Sequence, residues 1–468
     1  MRRSLAALTP ALMASTLACA TSAPSASAPS STSSTSASID IDPALSDDVT
    51  AVTAELVRER KVVDVLAARL EEAGVEVTRG AHGTVRAVVH ANKPLAGKAA
   101  PPILLLADAA ALPADASQWA TPPFEGAIKG GHLIGRGAAS SYADDALLAL
   151  TLVVLARAEV PLAVDVVLLV PTVDAGVDGA LADFPALAHA QVALAAGPAI
   201  VQSALVPGEE LAAIAVAEKG ILEVALSAHG DAGPASVPPP VSAADRVVAA
   251  SARIRRSQGE RPFTITKPTE RELVDVGRAH GGVEQVVLAL PRIRDSFALS
   301  SLGDSPSARA LFQDTCALAV LAAGAAGAPD MIPGDARANL DCRLLPGTDP
   351  EAFRDHLLVV VDDPRVELKV TRAVRASGSD PDGRAPRAIA ARIQAELRGA
   401  AVVTALSPED TACRAARAHA IPCYGFVPIR LTREESDATR GKDEAVRTDE
   451  LERGLSRVVD IVATLAAP

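Results

Sequence analysis

The stretch that decides the fold runs from Ile103 to Ala156 and reads ILLLADAAALPADASQWATPPFEGAIKGGHLIGRGAASSYADDALLALTLVVLA. It opens on a short apolar run, Ile103 to Ala107, the length of a fully buried strand. A loop rich in Pro and Ala carries Trp119. Gly135-Arg136-Gly137-Ala138 then turns into an apolar helix, predicted from Ala143 to Ala158. Working outward, Val75–Thr78 and Thr84–His90 read as strands, and Asp165–Thr172 and Val192–Ala196 as further strands around a helix at Gly179–Leu187. Strands with apolar centres that alternate with helices predict an α/β domain with a mostly parallel sheet. Ahead of it, Val52, Leu56, Val63, Leu66 and Leu70 form one helical stripe stopped by Gly74, expected to run on as a single helix.

At Ala217-Glu218-Lys219-Gly220 the texture changes. Ile221 to Ala228 alternates, and Pro238-Pro239-Pro240 precedes a helix from about Ser242. Arg337, Asn339, Asp341 and Arg343 alternate with apolar neighbours. The α/β texture resumes with a helix Ala385–Leu397, a strand Val402–Ala405, a helix Thr411–His419, a strand Pro422–Phe426 and a last helix Thr448–Leu465.

At 468 residues with 49% hydrophobic content, the chain can bury a large core divided into two or three domains. Aromatics make up 2%, so Ala, Val and Leu must fill that core. A net charge of -12 argues against a nucleic-acid partner, which would want a basic face. No apolar run of about 18 residues follows the amino terminus, so no transmembrane helix is expected. Residues 1–19 read as a signal peptide: Arg2 and Arg3, then the apolar Leu5 to Leu17. Cys19 follows Thr16-Leu17-Ala18, which resembles a bacterial lipobox with Leu one position nearer the Cys. Simple cleavage around Ala18-Cys19-Ala20 is the competing reading. Residues 20–44 read as a disordered Ser/Ala/Pro tether. The expectation is an exported, periplasmic or cell-surface lipoprotein that meets the membrane only through lipid on Cys19, or otherwise a secreted protein. Cys316, Cys342, Cys413 and Cys423 lack metal-type spacing and read as small buried residues.

The skeleton of the opening stretch closely resembles the signature of the dizinc metallopeptidases that include acetylornithine deacetylase, succinyl-diaminopimelate desuccinylase, the aminoacylases and glutamate carboxypeptidase. It consists of an apolar strand, Pro113-Ala114-Asp115, Trp119, Pro122-Pro123-Phe124-x-Gly126-x-Ile128 and Gly135-Arg136-Gly137-Ala138. The resemblance spans about 45–466. It implies a three-layer α/β peptidase-like domain at 45–216 and 375–468, and an inserted α+β satellite domain at 217–374 that caps the cleft and mediates dimerisation.

A co-catalytic zinc pair needs two His, a bridging carboxylate, two more carboxylates and a general base. The resemblance puts the first His at Asp108, the Asp that orients it at Ser141 or at Ala110, and the bridging Asp at Ser140. It puts the Glu pair near Ala175, the next acidic ligand at Ala196 and the last His at Arg440, within Arg440-Gly441-Lys442-Asp443-Glu444. None of these is a family ligand. His82, His90, His132, His189, His229, His280, His356 and His419 all lie elsewhere in the sequence. In the satellite, Pro234 and Asp330 stand where the family has a His and an Asn, whereas Arg343 matches its substrate-carboxylate clamp; a structural ion pair is the equal alternative for Arg343. Asp144, Asp145, Asp174 and Asp178 read as helix-terminus carboxylates. Asp108 and Arg440 are expected to form an ion pair across the former metal site.

The reading is therefore a metallopeptidase-like pseudoenzyme with no catalytic residue, metal or cofactor, serving as a binding or scaffold module. Its partner would be a peptide or small molecule, with a homodimer formed through the satellite. The rival is a working peptidase or amidohydrolase that acts on peptides or N-acyl amino acids, with zinc held by relocated ligands.

Overall fold

The run Ile103–Leu106 is a strand buried on both faces, and it lies inside the main sheet between Val166–Val170 and Val192–Ala195, parallel to both. The structure is a computed structural model. It describes residues 39, 41–94, 100–109, 113–202, 210–280, 290–291, 306–324 and 330–468, within one compact unit, Ser38–Pro468. The signal peptide, the tether up to residue 38, Cys19 and Ala110 lie outside the described residues.

Among the described residues the main sheet has 11 strands. Its parallel core continues to Cys423–Gly425, and Ala401–Ser407 runs parallel to Glu210–Glu218. Glu76–Arg79 and Val85–Val89 add antiparallel pairs at one side, so the sheet is mixed rather than mostly parallel. Helix Ser141–Arg157 is buried at every residue from Ser141 to Leu155, as an all-round apolar sequence requires. It packs against helices Pro43–Glu59 and Thr448–Ala466.

The single helix expected over 46–73 is broken. Pro43–Glu59 ends at Arg60, which takes the left-handed conformation (φ 58°), and Val62–Glu72 begins anew. The break folds Val62, Leu66 and Leu70 back onto the core that already holds Val52 and Leu56. The Arg60 guanidinium lies 4.4 Å from the centroid of the Phe124 ring.

A separate antiparallel sheet is ordered Thr315–Ala323, Asp335–Leu344, Gly220–His229, Val366–Val374. Helices Ala243–Gly259 and Pro350–Val361 pack on it and close a core of its own around Leu226, Val247, Leu340 and Phe353. Where the chain passes between the two sheets, Glu218 and Lys219 are both buried, at 1% and 0% exposure. Lys219 Nζ donates to Ala310 O and Gln313 O at the end of helix Pro306–Phe312, and burial draws its pKa down to about 8. Glu218 meets Arg414, Arg417 and Thr411, and Arg414 also donates to Lys219 O. Helix Lys267–His280 covers the open edge of strand Ala401–Ser407, where Leu406 N donates to Glu272 Oε2 at 3.4 Å. Burial raises the Glu272 carboxyl to about 7.

The four cysteines read as small buried residues are paired instead. Strand register sets Cys316 directly opposite Cys342, and a disulfide joins them. A second disulfide, Cys413–Cys423, ties helix Ala412–Ala418 to strand Cys423–Gly425. Spacing in sequence carries no trace of a cross-strand register. Unfolded, unreduced protein is therefore expected to show no titratable thiol from these four residues, and four after reduction. Four thiols before reduction would overturn the pairing.

Candidate functional site

The turn that follows the central strand is held by a buried carboxylate. Asp145, on helix Ser141–Arg157, accepts from Asp108 N at 2.8 Å and from Ala109 N at 3.2 Å. These bonds fix Ala109 in the left-handed region (φ 54°), a conformation that costs roughly 1–2 kcal/mol for a residue with a Cβ. Asp108 Oδ2 in turn accepts from Ser141 Oγ at 2.8 Å.

The second loop, Gly135-Arg136-Gly137-Ala138-Ala139-Ser140, is organised by Glu444, which is fully buried. Its carboxylate accepts from Gly137 N (3.0 Å), Ala139 N (3.1 Å), Ser140 Oγ (2.7 Å) and Arg136 Nη1 (3.2 Å). Gly137 sits at φ 88°, and a Cβ there would meet the Tyr142 ring at 2.6 Å. Arg136 stacks 5.0 Å from the Trp119 ring centroid, and its N–H donates to Pro123 O. Asp443 Oδ1 accepts from Ala120 N at 2.8 Å. The residues of the recognisable skeleton thus bind one another.

Of the positions assigned by resemblance, Asp108, Ser140, Ala196 and Arg440 line one cavity of about 300 Å³ at the carboxyl ends of the central strands. Ala175 does not line it; the residue lies beside an adjoining chamber of about 550 Å³, lined by Gly176, Val177, Arg372 and Arg414. Asp108, Asp410 and Thr411 border both chambers, and no histidine lines either. One carboxylate, one committed hydroxyl, two methyls and a guanidinium do not make a zinc-pair donor set. Among the described residues, no group of three or more His, Cys, Asp or Glu could hold a metal ion.

The expected Asp108–Arg440 ion pair is not formed. Arg440, itself at φ 60°, pairs with Glu409 at 2.6 Å, and Asp108 takes Ser141. The loop geometry turns the guanidinium toward the Glu409 side of the cavity, where both partners keep access to water. Arg343 forms a two-point pair with Asp341, at 2.8 Å for each contact, and lines neither chamber. The short pairing of Gly233–Pro234 with Met331–Ile332 keeps Pro234 and Asp330 near each other, also away from both chambers. Asp174 and Asp178 do not cap helix Gly176–Asp183; its N-cap position is Ala175, and Asp178 bonds His419 at 2.9 Å.

Asp144 lies in the first turn of its helix, as its reading as a helix-terminus carboxylate expected; its place in the cavity is what that reading left out. The residue is 6% exposed, borders the cavity, and its Oδ1 has no hydrogen-bond partner. Burial, then Asp145 and Asp108 nearby, holds its carboxyl well above the usual range; burial and Asp108 do the same for Asp145. Burial also raises Asp108, opposed by the Ser141 bond and by Arg440. The signal lay in the sequence: two adjacent acids in a helix otherwise apolar all round.

Two outcomes follow for urea unfolding. Glu444→Ala strands the Arg136 guanidinium and should cost about 3–5 kcal/mol, whereas Arg440→Ala, from a half-exposed pair, should cost about 0–1 kcal/mol. Equal losses would mean that Glu444 is not the anchor. A raised carboxyl pKa in the fold means that the folded state holds a proton the unfolded chain has released. Stability from this group is then complete at acid pH and falls as pH rises from the ordinary carboxylate range through the folded pKa. Asp144→Asn should therefore stabilise at neutral pH, by about 1–3 kcal/mol, and have little effect near pH 3. The same change at both pH values would count against a buried acid.

Residues 216–367 match the peptidase dimerisation domain. No curated protein matches the chain. Among solved structures, human carnosine dipeptidase 1 aligns over 91% of this chain and 98% of its own, with a TM-score of 0.69 at 13% identity. An M20 family metallo-carboxypeptidase from Sulfolobus solfataricus aligns over 89% and 98%, with a TM-score of 0.65 at 16% identity. A dinuclear metal-binding peptidase of the M20 family from Bacillus subtilis aligns over 91% and 99%, with a TM-score of 0.55 at 13% identity. The chain has the fold of the M20 metallopeptidases, and within it residues 216–367 match the peptidase dimerisation domain.

Proposed function

We propose that this protein is an exported, non-catalytic binding module built on the metallopeptidase fold. The observation that carries the reading is the chemistry of the cleft. At the positions where the resemblance calls for zinc ligands stand Asp108, Ser140, Ala175, Ala196 and Arg440. The Ser140 hydroxyl is spent on Glu444 and the Arg440 guanidinium on Glu409. Of this set only Asp108 keeps an unspent carboxylate oxygen, and no histidine lines the cavity beside it. The two chambers remain open, at about 300 and 550 Å³, within the size range of small-molecule sites.

Export is supported by the two disulfides, since such bonds persist in oxidising compartments. They use four of the 5 cysteines and leave Cys19 as the odd one, in the position that suits a lipid anchor. The dimerisation-domain match supports a homodimer through the satellite sheet.

Purified protein should carry well under one equivalent of zinc. It should not hydrolyse dipeptides or N-acyl amino acids after incubation with zinc, manganese or cobalt, and a chelator should leave its melting temperature unchanged. About two equivalents of zinc, with hydrolysis abolished by the chelator, would establish the rival reading of an active amidohydrolase with relocated ligands.

A further inference from the structure

Among the described residues four acids line the 300 Å³ cavity, Asp108, Asp144, Glu409 and Asp410, and all but Asp144 have a side-chain partner. Glu409 takes Arg440, and Asp410 takes Arg414 and Arg372; behind the lining, Asp145 takes two backbone N–H groups and Glu444 four donors. Asp108 spends only Oδ2, on Ser141. Asp144 is left with an unpartnered Oδ1 although 94% of the residue is removed from solvent, its exposure being 6%. Among the described residues, Asp108, Asp144 and Asp145 form no ion pair. A protein rarely keeps a buried polar atom unsatisfied without a ligand, ion or water to meet it.

The same cavity is also lined by aliphatic side chains, Ala199, Val201, Leu211, Val427 and Leu431, and its one lining cation among the described residues, Arg440, is already paired with Glu409. A site that combines carboxylates with aliphatic side chains matches a cation on a hydrocarbon stem. A divalent metal fits poorly, because no group of three ligating side chains stands together among the described residues. An ammonium needs no fixed coordination shell. It brings three donors on a rotatable stem, and its methylenes can lie on apolar surface.

We propose that this cavity binds a primary alkylammonium group, with Asp144 and Asp108 as its acceptors and the Val201, Leu211 and Leu431 side chains holding its methylenes. The proposal rests on the non-catalytic reading, since it fills with an organic cation the space that the family resemblance gives to zinc. Burial already disfavours the ionised form of Asp144, and the charged groups that bear on it are Asp145, Asp108, Glu409 and Arg440. A bound ammonium supplies the countercharge this group lacks.

The test is calorimetric titration of the full chain, after chelator treatment and dialysis, with three probes of equal carbon chain. These are 1,5-diaminopentane, Nα-acetyl-lysine methylamide and pentanoate. Saturable binding of an amine, with none of pentanoate, is expected. The first two probes distinguish a free amine from a lysine-type side chain as the source. Asp144→Asn, which is expected to fold at least as well as the parent, should weaken amine binding roughly 30-fold or more, and Asp108→Asn should weaken it as well. Failure of both amines to saturate, or equal affinity in Asp144→Asn and the parent, overturns the proposal. Zinc content and hydrolysis measured on the same preparation before chelator treatment separate the two readings. Two equivalents of zinc with turnover would sink the non-catalytic reading and this inference together. Absence of zinc and of amine binding would sink the inference alone.

Discussion

A single carboxylate, that of Glu444, joins the parts of the molecule that form the cleft. Burying an ionised group costs several kcal/mol, and only complete satisfaction offsets it. Glu444 reaches that condition with two backbone N–H groups, a hydroxyl and a guanidinium, all from residues 136–140, some 300 positions earlier in the chain. The loop so fixed launches helix Ser141–Arg157, and the first turn of that helix presents Ser141, Asp144 and Asp145 to the strand end at Asp108. Remove the carboxylate and the helix loses its entry point. The geometry of the cleft therefore depends on a contact that lies outside it.

A second buried charge cluster does similar work where the chain crosses between sheets. Glu218, Lys219, Arg414 and Arg417 are held by each other and by backbone carbonyls. Asp410 and Thr411 extend the cluster to the rim of both chambers. The crossing to the satellite sheet thus carries a buried cluster of hydrogen-bonded charge. Such a junction specifies one arrangement strongly while adding little net stability.

Much of this architecture was legible because it rests on local pattern. Ile103–Leu106, Val166–Val170 and Val192–Ala195 are uninterrupted apolar runs, and each is a buried central strand. The alternation from Ile221 and from Arg337 marks a sheet with one face covered, which is what those residues form. The skeleton resemblance held because Trp119, Arg136, Gly137 and Glu444 are structural partners of one another, whatever the cleft contains. What stayed hidden depends on distance in three dimensions. Arg60 breaks a continuous helical stripe because the core lies to one side. Cys316 faces Cys342 only through strand register. Arg440 chose Glu409 over Asp108 through a loop conformation that no periodicity encodes. Asp144 and Asp145 look alike in sequence, yet one serves the backbone and the other has no such task.

The helix laid over the edge of strand Ala401–Ser407 has a consequence for how the chain reaches its native state. The Leu406 amide finds its acceptor on Glu272, a residue 134 positions away, inside the segment that separates the two halves of the main sheet. That sheet cannot be completed from either half alone, because strand Ala401–Ser407 pairs back to Glu210–Glu218 across the whole intervening insert. Contacts of such long sequence separation form late and slowly, and until they form the open strand edge is a template for wrong pairing. A nascent chain would hold the edge of strand Glu210–Glu218 unpaired until residues 401–407 are present, so a folding helper that shields extended segments would find its target here.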